Sequence, residues 1–301
     1  MSPVIEVAIP CLNEAAAIGR VLQDFRRVLP SARLVVYDNS STDGTVAVAQ
    51  AAGADIRHVP RRGKGFVLQA ILAQSCADVV LLVDGDGTYE AEDAPSLLQP
   101  VLAGAADMVM GNRLASAAPA SFRRFHRLGN RILAGLLNAL FGTSFHDVLS
   151  GYRAFGRRFL DGVPLVTAGF EIETEMVLRA LELGLTIHEV PIRYRPRGAG
   201  SASKLRTFHD GSRILATLAI LLRDHRPILV FGMASVVLAL SGVGCWLMGV
   251  TGRPGLRPPG VVLTVSALVL YLAGVTLDAI NSRFRETHTL LQRQVRGREL
   301  L

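Results

Sequence analysis

Cysteine is scarce, with three in 301 residues. Cys11, Cys76 and Cys245 lie far apart, which excludes a disulfide framework and a cysteine metal knuckle. That usage suits a reducing cytoplasm. The seven histidines show no ligand-like spacing, and the one tryptophan is Trp246. No G-x-G-x-x-G and no G-x-x-x-x-G-K-[ST] occurs, so neither a dinucleotide fold nor a P-loop is supported. The net charge is +7, yet no helix-turn-helix, zinc-finger or RNA-binding signature accompanies it. No nucleic acid is expected as a partner. The N-terminus, MSPVIEVAIP, has no basic region ahead of a long apolar core, so no signal peptide is expected there.

Charge is missing from two long stretches. Residues 228–250 carry none, and residues 261–280 carry only Asp278. Each run meets the ~20-residue length that a helix needs to cross a bilayer. The mean hydropathy of +0.35 is high for a purely soluble chain, and the excess sits after residue 226. The connection TGRPGLRPPG reads as a tight loop. A buried helical hairpin is the competing reading, but two successive uncharged runs of this length are rare in soluble cores. Lys204, Arg206, Arg213, Arg223 and Arg226 precede the runs, and Arg283, Arg285, Arg293, Arg296 and Arg298 follow them. The connection holds only Arg253 and Arg257. Both flanks are therefore expected in the cytoplasm, with the connection outside. This divides the chain into a cytoplasmic domain, 1–226, and a membrane hairpin with a basic cytoplasmic tail, 227–301. The expected location is the cytoplasmic (inner) membrane, multi-pass.

Upstream, short apolar runs at 4–9, 34–37, 56–59 and 78–83 read as strands. The first is expected to stop at Pro10. Helical spacing covers 15–29, with Ile18, Val21, Leu22, Phe25, Val28 and Leu29 on one face. Further helices are expected at about 43–52 and 64–76. Alternating strands and helices imply βαβ units and a mainly parallel sheet. Ligands bind such sheets at the carboxyl ends of the strands. The notable polar residues fall there: Pro10 to Glu14, Asp38 to Asp43, and Asp84 to Asp86. Later come the strand-like ADMVMGNR (106–113) and a basic amphipathic segment at 121–142. Arg123, Arg124, Arg127 and Arg131 lie there among apolar residues, a pattern that suits a membrane surface.

Asp84-Gly85-Asp86 places two carboxylates at a strand end. Such hard oxygen ligands suit Mg²⁺ or Mn²⁺, which also take phosphate oxygens of a substrate. An EF-hand is excluded, because Tyr89 stands where that loop needs glycine.

PCLNE (10–14), DNSSTDGT (38–45), RGKG (62–65), DGDG (84–87) and DVLSGYRAF (147–155) together resemble the family 2 glycosyltransferases with a GT-A fold. With the C-terminal hairpin, the chain resembles the polyprenyl-phosphate branch of that family. The likeness covers about residues 3–205. It implies an α/β, GT-A fold plus the two-helix hairpin. It also implies that Pro10, Leu12, Glu14 and Asp38 line the nucleotide, while Lys64, Gly65 and Gly85 border the donor. Asp84 and Asp86 match the acids that hold metal and diphosphate. Thr88 stands where dolichyl-phosphate mannose synthases often carry glutamine, so no third side-chain ligand is expected. Arg113 matches an arginine that binds acceptor phosphate, and Arg124 is the choice for a second. Asp147 is read as orienting an arginine or touching the sugar. Glu171, Glu173 and Glu175 meet sugar hydroxyls or open a helix. Arg197, Ser203 and Lys204 match a loop that closes on the donor.

The expected reaction is inverting, metal-dependent transfer of a hexose from a nucleotide-sugar to a polyprenyl phosphate. UDP-glucose is favoured and GDP-mannose is the alternative. A homo-oligomer is compatible with the sequence. A processive synthase is disfavoured, since the Q-x-x-R-W motif is absent and Trp246 lies inside an apolar run. A non-catalytic scaffold or flippase partner is the reading from another class, against which stand intact Asp84, Asp86 and Arg113.

Overall fold

The structure, a computed structural model, describes residues 3–115, 124–169, 171–195, 220, 223, 226–251 and 254–299, with backbone alone for 124–126, 254 and 284–299. The chain divides into two units, Met1–Ile214 and Leu215–Leu301.

In the first unit the run after Val4 forms β1, Ile5–Cys11. Val7, Ala8 and Ile9 are fully buried, as in strands covered on both faces. β1 runs past the expected stop: Pro10 pairs with Tyr37 and Cys11 with Asp38. Proline removes one donor, but the next carbonyl, of Cys11, still accepts from Asn39 N at 2.8 Å. Helix α1 follows, Ala15–Val28, and buries Ile18, Val21, Leu22 and Phe25, the face expected from the spacing.

β2 (Arg33–Asp38), α2 (Thr45–Ala51), β3 (Asp55–His58), α3 (Lys64–Gln74), β4 (Val79–Leu82) and α4 (Ala94–Leu102) continue the alternation. Then come β5 (Met108–Asn112), α5 (Arg124–Phe141), β6 (Arg153–Gly156), α6 (Arg157–Gly162), α7 (Ile172–Glu182) and β7 (Ile187–Pro191). The seven strands stand in the order β3-β2-β1-β4-β6-β5-β7. Among them β6 alone runs antiparallel to its neighbours, β4 and β5. Its first residue, Arg153, pairs with Leu82 and Met110 near the carboxyl ends of those strands. The reversal therefore brings the loop before β6, which carries Asp147, to the strand ends where Asp84 and Arg113 lie.

The second unit contains α8 (Pro227–Val250) and α9 (Arg257–Glu299). Both are long and apolar enough to cross a membrane. α9 starts before the expected residue 261, taking Pro258 and Pro259 into its first turn, where their missing N–H groups are not needed. Its backbone stays helical through the basic tail to Glu299. Glycine lets the pair approach closely: a Cβ on Gly260 would lie 2.7 Å from Trp246 N.

Candidate active site at the strand ends

The first loops lock each other. Asn13 takes a positive φ of 54°, and its side-chain oxygen accepts from Thr42 N at 2.8 Å. Glu14 N donates to Thr45 Oγ1 at 2.8 Å, and the Glu14 side chain is buried. Pro10 and Leu12 are half-buried beside it. Asp38, buried at the end of β2, accepts from Ser41 N at 3.2 Å and lies 3.5 Å from His58 Nδ1. Cys11 is a small buried filler, as expected. Asn39, which the sequence reading passed over, ties this end of the sheet together. Its Nδ2 donates to Val59 O and Arg61 O at 3.0 and 2.6 Å, and its Oδ1 accepts from Gly63 N at 2.8 Å. The start of α3 is thereby fixed, and Lys64 with it.

Lys64 joins two acids. Its Nζ is 2.7 Å from Asp84 Oδ1 and 2.8 Å from Glu173 Oε1. Burial alone would lower this ammonium, but Asp84 and then Glu173 outweigh it and hold the group above its ordinary value. Glu173, on the first turn of α7, is thus a buried partner of the lysine and not an exposed helix start. Glu175 is buried too and accepts from Val166 N, Thr167 N and Thr167 Oγ1. It holds a segment that closes over Gly65, whose N donates to Ala168 O at 3.1 Å. A Cβ on Gly65 would fall 1.9 Å from Thr167 O, so only glycine fits. The loop before β6 abuts Asp84 equally closely: a Cβ on Gly151 would lie 2.4 Å from Asp84 Oδ2.

Asp86 is 6% exposed, and its Oδ1 accepts from Thr88 Oγ1 at 2.6 Å and Thr88 N at 3.1 Å. Thr88 orients this acid. No group of three or more His, Cys, Asp or Glu that could hold a metal occurs among the described residues. Mg²⁺ and Mn²⁺ are commonly held by only one or two carboxylates and complete their shells with phosphate oxygens and water. Asp84, just past the end of β4, and the buried Asp86 are the carboxylates whose oxygen donors would suit such an ion.

Across the site, Arg113 follows β5. Its Nε donates to Asp147 Oδ2 at 2.7 Å and its Nη2 to Asp147 Oδ1 at 2.8 Å, and its backbone N meets Oδ2 at 3.1 Å. Asp147 is 0% exposed, so this bidentate pair is nearly dry. Burial would lower the guanidinium, yet the Asp147 charge more than offsets it and the group is held well above its ordinary value. Arg113 also lies 5.5 Å from the centre of the Tyr194 ring. Tyr89 spans the two halves. Its hydroxyl accepts from Gly151 N at 2.9 Å, and its ring meets Tyr152 and Tyr194 at 5.2 and 5.5 Å.

Two further residues escaped the sequence reading. Glu189 on β7 accepts from Asp147 N at 2.7 Å and from His146 N at 2.9 Å. Arg153 is 0% exposed and donates to Ser150 O and Val148 O, each at 2.8 Å. Desolvation lowers it to about 10, so it stays charged at neutral pH under the loop that carries Asp147 and Gly151. The signal available in sequence was an arginine inside the apolar GYRAF run. Of the remaining expected residues, Arg124 opens α5 but its side chain is outside the described part. Arg197, Ser203 and Lys204 fall outside the described residues altogether.

The family model for "Glycosyl transferase family 2" matches residues 6–163. Glycosyltransferase AglJ of Haloferax volcanii is 35% identical over 285 residues, which covers 92% of this chain and 93% of that protein. The dolichyl-phosphate hexose transferase of the same organism is 33% identical over 210 residues, 70% of this chain and 90% of that one. Among solved structures, glucosyl-3-phosphoglycerate synthase from Mycobacterium tuberculosis with Mn²⁺ and UDP-glucose superposes with a TM-score of 0.60 at 26% identity. It covers 73% of this chain and 78% of that one. The sheet with its reversed β6 is accordingly a GT-A fold, and the chain is a glycosyltransferase belonging to family 2.

Proposed function

We propose that the protein transfers a hexose, with inversion, from a nucleotide-sugar to a polyprenyl phosphate at the cytoplasmic face of a membrane. The observation that carries the reading is Arg113, fixed bidentately by a buried Asp147 across the strand ends from Asp84 and Asp86. The relative that acts on dolichyl phosphate supports the acceptor, and the neighbour bound to UDP-glucose supports UDP-glucose as donor.

The chemistry follows from charge. A phosphate monoester has a second pKa near ~6 and is mostly dianionic at neutral pH. Such an oxygen is already a nucleophile, so no strong general base is required. It attacks the anomeric carbon, the bond to the diphosphate breaks, and the nucleoside diphosphate leaves. Arg113 meets the acceptor phosphate with guanidinium N–H groups other than the Nε–H and Nη2–H bonds that it makes to Asp147. Asp147 is committed to that guanidinium, so it is a positioning residue. Asp84 and Asp86 would hold Mg²⁺ or Mn²⁺, which would supply neutralisation of charge on the leaving diphosphate. Lys64, between Asp84 and Glu173, lies at the same edge as a further cation for the diphosphate. Asp38, Glu14, Pro10 and Leu12 line the nucleoside, and Arg197, Ser203 and Lys204 belong to the loop that closes on it. The two apolar helices span the inner membrane, with both basic flanks cytoplasmic.

The test uses detergent-purified protein, undecaprenyl phosphate, Mg²⁺ or Mn²⁺, and a panel of UDP- and GDP-sugars. One donor is expected to give glycolipid, and Asp86→Ala to abolish it. Nucleotide-sugar binding without product from any donor overturns the reading in favour of a non-catalytic one.

A further inference from the structure

The loop between α5 and β6 carries an exposed imidazole on a locked backbone. Asn130 on α5 donates to His146 O at 2.7 Å and accepts from Val148 N and Leu149 N at 3.1 and 3.2 Å. From the other side Glu189 accepts from the backbone N of both His146 and Asp147. The same carboxylate lies 2.8 Å from His146 Nδ1, yet the His146 side chain is 70% exposed. Fixing a solvent-facing ring in this way gains little from burial. The hydrogen bond does decide which nitrogen is available: with Nδ1 on Glu189, Nε2 faces outward. Among the described residues Nε2 has no hydrogen-bond partner. The next residue along the chain is Asp147, which sets the Arg113 guanidinium.

We propose that His146, aimed by Glu189 on the loop that carries Asp147, is a second ligand of the acceptor phosphate, meeting it through Nε2. The proposal rests on the acceptor reading above and adds a residue to it. An imidazolium donates from both nitrogens and suits a phosphate oxygen, while its carboxylate partner keeps the ring from turning away.

The experiment measures initial rates against polyprenyl phosphate and against nucleotide-sugar separately, for His146→Ala, His146→Gln and Arg113→Gln. A hydrogen bond to a charged group predicts about a tenfold rise in the acceptor KM for His146→Ala. The donor KM and the melting temperature should stay unchanged, and His146→Gln should recover part of the loss. An unchanged acceptor KM in His146→Ala, while Arg113→Gln raises it, overturns the role of His146 and leaves the acceptor site standing. An unchanged acceptor KM in Arg113→Gln as well overturns the acceptor reading itself. A rise in the donor KM of His146→Ala equal to that for the acceptor makes the residue structural and refutes the proposal.

Discussion

On one side of the site Lys64 stands between two acids, 2.7 Å from Asp84 and 2.8 Å from Glu173. On the other side one acid, Asp147, takes Arg113 in a fork at 2.7 and 2.8 Å. The distances match, but the constraints differ. An ammonium is a point charge on a flexible stem and can be shared or exchanged. A guanidinium in a bidentate pair has one geometry. On the proposed function, the lysine side, which would take the donor, is free to exchange its partners, whereas the arginine side, which would take the acceptor phosphate, is fixed in one geometry. Glu189, Asn130 and Arg153 all brace the loop on the preset side.

The sharpest way to break the comparison is Asp86→Ala. On the proposed function it removes a ligand of a metal that would supply several kcal/mol of charge stabilisation, so product formation should fall at least ~100-fold. A rate assay with saturating acceptor checks it. Asp147→Asn should come next, because it leaves the Arg113 charge without its buried partner. Breaking such a pair costs about 3–5 kcal/mol of stability. Thermal melting should show the loss, together with a raised acceptor KM. Lys64→Met acts on the exchangeable side. It should weaken donor binding by roughly tenfold, the worth of one hydrogen bond to a charged group, and leave the acceptor KM alone. The smallest effect should come from Glu175→Gln, which loosens residues 166–168 over Gly65. About 1 kcal/mol of stability and a modest rise in donor KM are expected, read by denaturant titration and kinetics.

Much of the frame was legible before the structure. Continuous apolar runs gave β1, β2 and β4, and the 3.6-residue spacing gave α1, because these signals are local. The acids fell at strand ends for the same reason: a strand end and its polar cluster are adjacent in the chain. What sequence could not show were partners brought together by topology. Glu189 and Asp147 are joined only because β7 pairs with β5 and β6 runs antiparallel. The roles of Glu173 and Glu175 were ambiguous between a sugar contact and a helix start, since negative charge suits both. In the structure both are buried, Glu173 bound to Lys64 and Glu175 to residues 166–167. Pro10 misled because proline usually ends a strand, whereas here the neighbouring carbonyl continues the ladder.

The central claim is that acids hold the donor while a preset arginine holds the acceptor phosphate. Calorimetry of nucleotide-sugar binding with Mn²⁺ tests it most directly, on the unmodified protein, Asp86→Ala and Arg113→Gln. Donor binding should be lost in Asp86→Ala and retained in Arg113→Gln, although both make glycolipid far more slowly than the unmodified protein. Equal loss of donor binding in the two variants, with both still folded, would contradict the division of the site.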